Sequence, residues 1–185
     1  MNLSIRLADS TEDFDTIRRM NNQIFACEIG QHDASPDGLL VDPLESRSQF
    51  LLAFDSGHPA AMVSFHDRPP FSAEKKLADP SVIATLPGPV FEIRLLAVDP
   101  AYRGTPLLTI LLARLFEILR ERGARTAIIS GITTRAPLYR AMGFAELGAA
   151  VRSGSAEFLP MALDLENLPP SAHAIYSRYA GRTVS

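Results

Sequence analysis

The run AVDPAYRGTPLL, Ala97 to Leu108, has the composition of a strand end, a turn and a helix start that faces an anion. Backbone N–H groups at a helix start have no intrahelical acceptor, and the helix dipole adds positive potential, so such a turn suits a phosphate. Arg103 adds a guanidinium that can hold two phosphate oxygens at once. Two residues oppose this use. Pro106 has no N–H to donate, and Leu108 puts a bulky side chain where close approach favours glycine. Upstream, Glu92 sits between Phe91 and Ile93 in the apolar run VFEIRLLAV, so strand alternation turns its carboxylate away from their face. A carboxylate in that setting is either a proton acceptor or half of an ion pair with Arg94 or another base.

The other reactive residue types form no constellation. His32, His58, His66 and His173 lack metal-ligand spacing and read as loop or surface histidines, so no metal is expected. Cys27, the only cysteine, closes a predicted helix and reads as a small buried residue. A lone cysteine excludes an intramolecular disulfide and makes a cytoplasmic location the expectation. Ser130 and Ser153-Gly154-Ser155 do not form a nucleophile elbow. Asp33, Asp37, Asp42 and Glu45 form an acidic loop that could attract a cationic amine, although a solvated loop is the simpler account.

The elements that must position these residues follow from periodicity. Leu3–Ala8 alternates as a strand, and Ser10 with Asp13 resembles a capping box opening a helix from Thr11 to Cys27. Two apolar strands around Asp55-Ser56-Gly57 make a hairpin, and a short helix is expected near Ala73 to Leu77. Val90–Val98 is the strongest strand. A helix follows, with Leu108, Leu111, Leu112, Leu115 and Leu119 on one face and Gly123 at its end. Arg125–Ser130 is the next strand, then a short helix over RAPLYRAM, then strands near Phe144–Ala149 and Glu157–Leu165, the latter at an edge or bulge because of Pro160.

With 185 residues, 46% hydrophobic and 21% charged, the chain suits one globular domain, set at residues 1–166 with a tail at 167–185. The net charge of −3 argues against nucleic acid or an anionic membrane as partner. No apolar stretch is long enough to span a bilayer, and no signal peptide is expected.

VDPAYRG, the long apolar helix, the next strand and PLYRAMGF together resemble the GNAT superfamily of N-acyltransferases over Val90–Phe144. The resemblance implies an α/β fold with a twisted, mixed, mostly antiparallel sheet flanked by helices. In it the parallel strands Val90–Val98 and Arg125–Ser130 splay apart at one end, joined by a helix from Leu107 to Arg122. An acyl thioester on pantetheine would lie in that gap, contacting Ala97, Val98, Arg103, Gly104, Thr105 and Leu107. A backbone N–H at Leu95 or Leu96 would hold the oxyanion. Glu92 would deprotonate the amine acceptor and Tyr139 would protonate the leaving thiolate, each weighed against a purely structural role.

A narrower resemblance is to the branch of acyl-homoserine-lactone synthases and long-chain N-acyl amino acid synthases. It rests on Ile24-Phe25, on Asp42 to Glu45, and on Glu92 and Arg94, which loosely match a Glu-x-x-Arg segment; the branch's usual Trp residues are absent. Many of that branch draw on acyl carrier protein, whose arm has one phosphodiester, which would fit a weakened phosphate cradle. The expectation is therefore acyl transfer from a carrier-bound thioester, favoured over acyl-CoA, to a small-molecule amine, with Arg103, Arg135 and Arg140 as docking residues. The rival readings are an ordinary acetyl-CoA-dependent acetyltransferase and a non-catalytic domain that binds a thioester or a carrier. The loops Gly30–Ser48 and Arg68–Gly88 would shape the acceptor pocket, but acceptor identity, acyl length and oligomeric state are not readable from the sequence.

Overall fold

The computed structural model describes residues 2–154 and 156–179, built on an eight-stranded sheet. Its strands are β1 (Leu3–Leu7), β2 (Gln49–Asp55), β3 (His58–His66), β4 (Val90–Val98), β5 (Thr126–Ile132), β6 (Ala145–Glu146), β7 (Val151–Ser153) and β8 (Ala156–Asp164). The order across the sheet is β1-β2-β3-β4-β5-β8-β6, with β7 also paired to β8. Every described pairing is antiparallel except β4 with β5. This is the mixed α/β sheet the resemblance implied.

Strand alternation divides the side chains between two faces. On one, Leu51, Val63, Phe65, Phe91, Ile93, Ala127 and Ile129 pack under α2 (Leu107–Glu121). Leu107, Leu111, Leu115 and Leu119 are all fully buried there, each stabilising the fold by about 1.5–3 kcal/mol. On the other face lie two separate apolar clusters. Ile17, Met20 and Ile24 cover Phe50, Leu52, Met62 and Ala97. Phe71, Ala73 and Ile83 cover Ile128.

The helix expected from Thr11 to Cys27 is two segments. The Ser10/Asp13 capping box is present and opens α1 (Thr11–Asn21), after which Asn22–Glu28 winds as a π-helix. One extra residue in a helical turn shifts the phase of all that follow by about 100°. Ala26 is thereby buried and Cys27 exposed, contrary to the buried cysteine expected. The short helix near Ala73 is a 3₁₀ turn at Ser72–Lys76, and Pro80–Thr85 adds a second.

The expectation for Pro160 is also corrected. β8 is internal, pairing β5 on one side and β6 and β7 on the other. Pro160 faces Ser130 of β5 in register, while its carbonyl accepts from Leu147 N–H at 2.9 Å. It lies between the β6 pairs (ending at Met161) and the β7 pairs (starting at Phe158), where the outer ladder is already interrupted and a missing N–H costs little.

Of the segment after Asn167, residues 180–185 are outside the description, as is Ser155. Pro170–Ser177 forms α4, and it packs. Ala172 and Tyr176 are buried, Tyr176 stands edge-on to Phe116 with ring centres 4.6 Å apart, and its hydroxyl donates to Met142 C=O at 3.0 Å. No described helix is long and apolar enough to cross a membrane.

Candidate active site

β4 carries a bulge at the residues where the resemblance implied an oxyanion donor. Met62 pairs Ala97 and Ser64 pairs Arg94, so β4 spends one residue more than β3 over the same span. Leu95 takes up the extra residue at φ +50°, a left-handed conformation that costs a side chain about 1–3 kcal/mol. The bulge inverts the alternation. Val90, Glu92 and Arg94 share a face before it, and Leu95 and Ala97 occupy that same face after it. Ser64 Oγ donates to Arg94 C=O at 3.1 Å, satisfying a carbonyl at the bulge.

β4 and β5 then part. They pair only at Val90–Thr126, Phe91–Ala127 and Glu92–Ile128, although β4 runs on to Val98 and β5 to Ile132. The facing edges beyond Glu92 and Ile128 leave backbone donors and acceptors without a ladder, which an extended amide-bearing ligand can pair.

The wide end of this gap meets the turn before α2. Asp99 caps a 3₁₀ turn at Pro100–Tyr102, and Gly104 follows at φ +78° with open space where a side chain would stand. Pro106 is the N-cap of α2, and the first helical bond runs from Ile110 N–H to Pro106 C=O at 3.0 Å. Of the N–H groups that precede it, Leu107 donates to Thr105 Oγ1 at 3.3 Å. Those of Leu108 and Thr109 fall within the first turn, where helices lack internal acceptors. The turn thus offers the amides of Leu108 and Thr109, while that of Leu107 is taken and its side chain is turned to the core. Arg103 is engaged: its two terminal nitrogens each lie 2.7 Å from a Glu28 oxygen, and its Nε donates to Val98 C=O at 3.2 Å.

Tyr139 sits on α3 (Ala136–Ala141), which follows a 3₁₀ turn at Thr133–Arg135. Its ring lies over Gly131 of β5: a Cβ built there would stand 2.7 Å from Tyr139 Cδ2. Burial raises the Tyr139 phenol above its usual pKa, against the opposing Arg135 charge and a hydrogen bond from Ile132 backbone. Arg140 is paired with Glu146, and Arg135 is exposed.

Between the two apolar clusters of the second face runs a strip of buried polar groups. Glu92 Oε1 accepts from Ser72 Oγ and Ala73 N–H, and Oε2 from Ser72 N–H, each at 2.7 Å. His66 Nε2 lies 3.0 Å from Oε2. Burial alone would raise the Glu92 carboxyl, but the donors from His66, Ser72 and Ala73 prevail and hold it below the usual carboxylate value. Arg94 pairs with Asp42 through both terminal nitrogens, at 2.7 and 3.0 Å, and its Nε donates to Ser72 Oγ at 3.1 Å.

The structure revises several expectations here. Glu92 pairs with His66 rather than with Arg94. His66 is a buried strand residue and not a surface histidine, because it faces Glu92 across the β3–β4 ladder. The acidic loop is tied down at two points, Asp42 to Arg94 and Glu45 to Arg18. Ser72 and Glu28 were not singled out, and His66 was given no role beside Glu92. The available signal was paired polar residues inside apolar strands, Ser64-x-His66 opposite Glu92-x-Arg94. Among the described residues no group of three or more His, Cys, Asp or Glu could hold a metal.

Comparison with known proteins agrees with this geometry. The profile of the Acetyltransferase (GNAT) family matches residues 15–149, and the chain belongs to that family. The CoA-dependent acyl-homoserine lactone synthase BjaI, solved with SAM and isopentyl-CoA, superposes at a TM-score of 0.78 with 18% identity over 98% of this chain and 92% of its own. MesI, another CoA-dependent acyl-homoserine lactone synthase, gives 0.71 with 19% identity over 95% and 94%. FeeM, an N-acyl amino acid synthase from uncultured soil microbes, gives 0.74 with 15% identity over 93% and 97%. No curated protein matches the sequence. The protein is an acyltransferase of the GNAT fold.

Proposed function

We propose that the protein transfers an acyl group from a pantetheine thioester to a small-molecule amine by direct attack, with a carrier-bound donor favoured over acyl-CoA. The observation that carries this reading is the coincidence of three features: the β4–β5 splay, the Leu95 bulge at its apex and the α2 turn at its mouth. The splay suits a pantetheine arm, and the Leu108 and Thr109 amides suit one phosphate. Pro106 removes an amide that a larger pyrophosphate would use.

In this reading a backbone N–H at Leu95 or Leu96 stabilises the oxyanion as the amine nitrogen bonds to the thioester carbon. As the C–S bond breaks, Tyr139 gives its proton to the departing sulfur; its raised pKa keeps it protonated beforehand. Glu92 is too enclosed to meet an amine directly. Ser72 Oγ, however, donates to Glu92, accepts from Arg94 and retains one lone pair. The amine proton, made acidic as the C–N bond forms, passes to Ser72 Oγ while the serine proton moves to Glu92.

The test is kcat/KM for one acyl group presented on an acyl carrier protein and on coenzyme A. A carrier preference that Arg103→Ala or Arg135→Ala reduces supports the reading. Preference for coenzyme A, with both variants unchanged, replaces it with the acyl-CoA reading, which the likeness to the CoA-dependent BjaI and MesI favours. Thioester binding without release of thiol in any amine pool replaces it with the non-catalytic one.

A further inference from the structure

Glu28 ends the π-helical segment Asn22–Glu28, and Arg103 stands 75 residues later at the turn before α2. Both carboxylate oxygens meet the Arg103 fork at 2.7 Å. This is the bidentate geometry a phosphate takes on arginine. The pair is half-open to solvent, with side-chain exposures of 38% for Arg103 and 42% for Glu28. Arg135, on the short turn leading to α3, is close enough to act electrostatically on the same carboxylate. Glu28 and Arg103 therefore meet at the mouth of the donor gap, within the electrostatic reach of Arg135 from a third element.

We propose that Glu28 is a specificity-determining residue of the donor site, an internal carboxylate that holds the Arg103 fork in the manner of a phosphate and selects against donors with many phosphates. The inference rests on the reading that the donor phosphate binds at the α2 turn. Its basis is charge and geometry. An incoming phosphate gains Arg103 only by displacing Glu28, and any phosphate nearby is repelled by it. Coenzyme A brings a pyrophosphate and a further phosphate into this field, whereas phosphopantetheine brings one, so the penalty is greater for coenzyme A. The partial exposure keeps the exchange feasible, since an ion pair open to solvent is held only weakly. The π-helical winding contributes by setting the phase in which Glu28 reaches across to Arg103.

The experiment measures dissociation constants of coenzyme A and of 4′-phosphopantetheine by calorimetry at low and high salt. It compares the wild type, Glu28→Gln, Arg103→Ala and the double variant, each checked for an unchanged melting temperature. Glu28→Gln keeps the shape and one acceptor but removes the charge. Coenzyme A should then bind about tenfold more tightly and phosphopantetheine about threefold or less, a gain that shrinks at high salt as screening predicts. In the double variant the part of the gain that comes from freeing Arg103 should be lost, leaving only the smaller, salt-sensitive part that comes from removing the repulsion. If Arg103→Ala weakens binding but Glu28→Gln gives no gain, or an equal gain for both ligands, the role of Glu28 is overturned while the donor-site reading stands. If neither ligand binds, or Arg103→Ala leaves binding untouched, both readings fall.

Discussion

His66 Nε2 lies 3.0 Å from Glu92 Oε2 across the β3–β4 pair, and neither side chain has any solvent exposure. Since Ser72 and Ala73 also donate to Glu92, this one carboxylate pins the 3₁₀ turn Ser72–Lys76 to the sheet. Glu92→Gln sets an amide nitrogen against donors that it cannot accept from. A loss of about 2–3 kcal/mol at pH 7 is expected, the range for a hydrogen bond to a charged group, read from urea unfolding.

The same carboxylate sets an acid limit on stability. Its folded-state pKa is depressed, so its contribution is complete above the ordinary value of 4.5 and is lost as pH falls below it through the folded value. Asp13 shifts the same way, chiefly through its hydrogen bonds from Arg6. Wild-type stability should fall below pH 4.5, and the gap between wild type and Glu92→Gln should narrow there. A constant gap from pH 7 to pH 3 would contradict the assignment.

Tyr139→Phe retains the ring over Gly131 and removes the proton. Turnover should fall by about 10²-fold with donor affinity unchanged, the range for loss of a general acid. Gly131→Ala should lower kcat as well, by displacing the ring, while leaving the hydroxyl chemistry intact. Wild-type kcat in both variants would show that the phenol serves packing alone.

Ser72→Ala interrupts the path to Glu92 but leaves the backbone donors of Ser72 and Ala73 in place. The rate loss should be about tenfold to a hundredfold near pH 7 and smaller at high pH, where free amine is abundant. A loss independent of pH would indicate a positional role for the hydroxyl instead.

The α4 segment should behave as core. Tyr176→Phe removes the bond to Met142 and should cost about 1 kcal/mol. Tyr176→Ala also opens a cavity beside Phe116 and should cost about 3–5 kcal/mol. Thermal melts of both variants check this.

Much of this architecture was legible in the chain. Val90–Val98 is a strand over the residues read from its apolar run, and the Ser10/Asp13 capping box opens α1 as the spacing required. These are local signals: an apolar period or a cap belongs to a few consecutive residues and needs no partner from afar. The α2 turn was legible in Ala97–Leu108, but the splay came from motif resemblance, because pairing between residues 36 apart leaves no local periodicity. What only the tertiary structure decided are the partners. Glu92 meets His66 and Ser72, Arg94 meets Asp42 52 residues away, and Arg103 meets Glu28 75 residues away. A lone charged residue in a sequence states that it needs a counterpart when buried, not which one; sheet register and the phase of a π-helix make that choice. Cys27 shows the point: its residue type favours burial, and a single added residue of helical winding turned it outward.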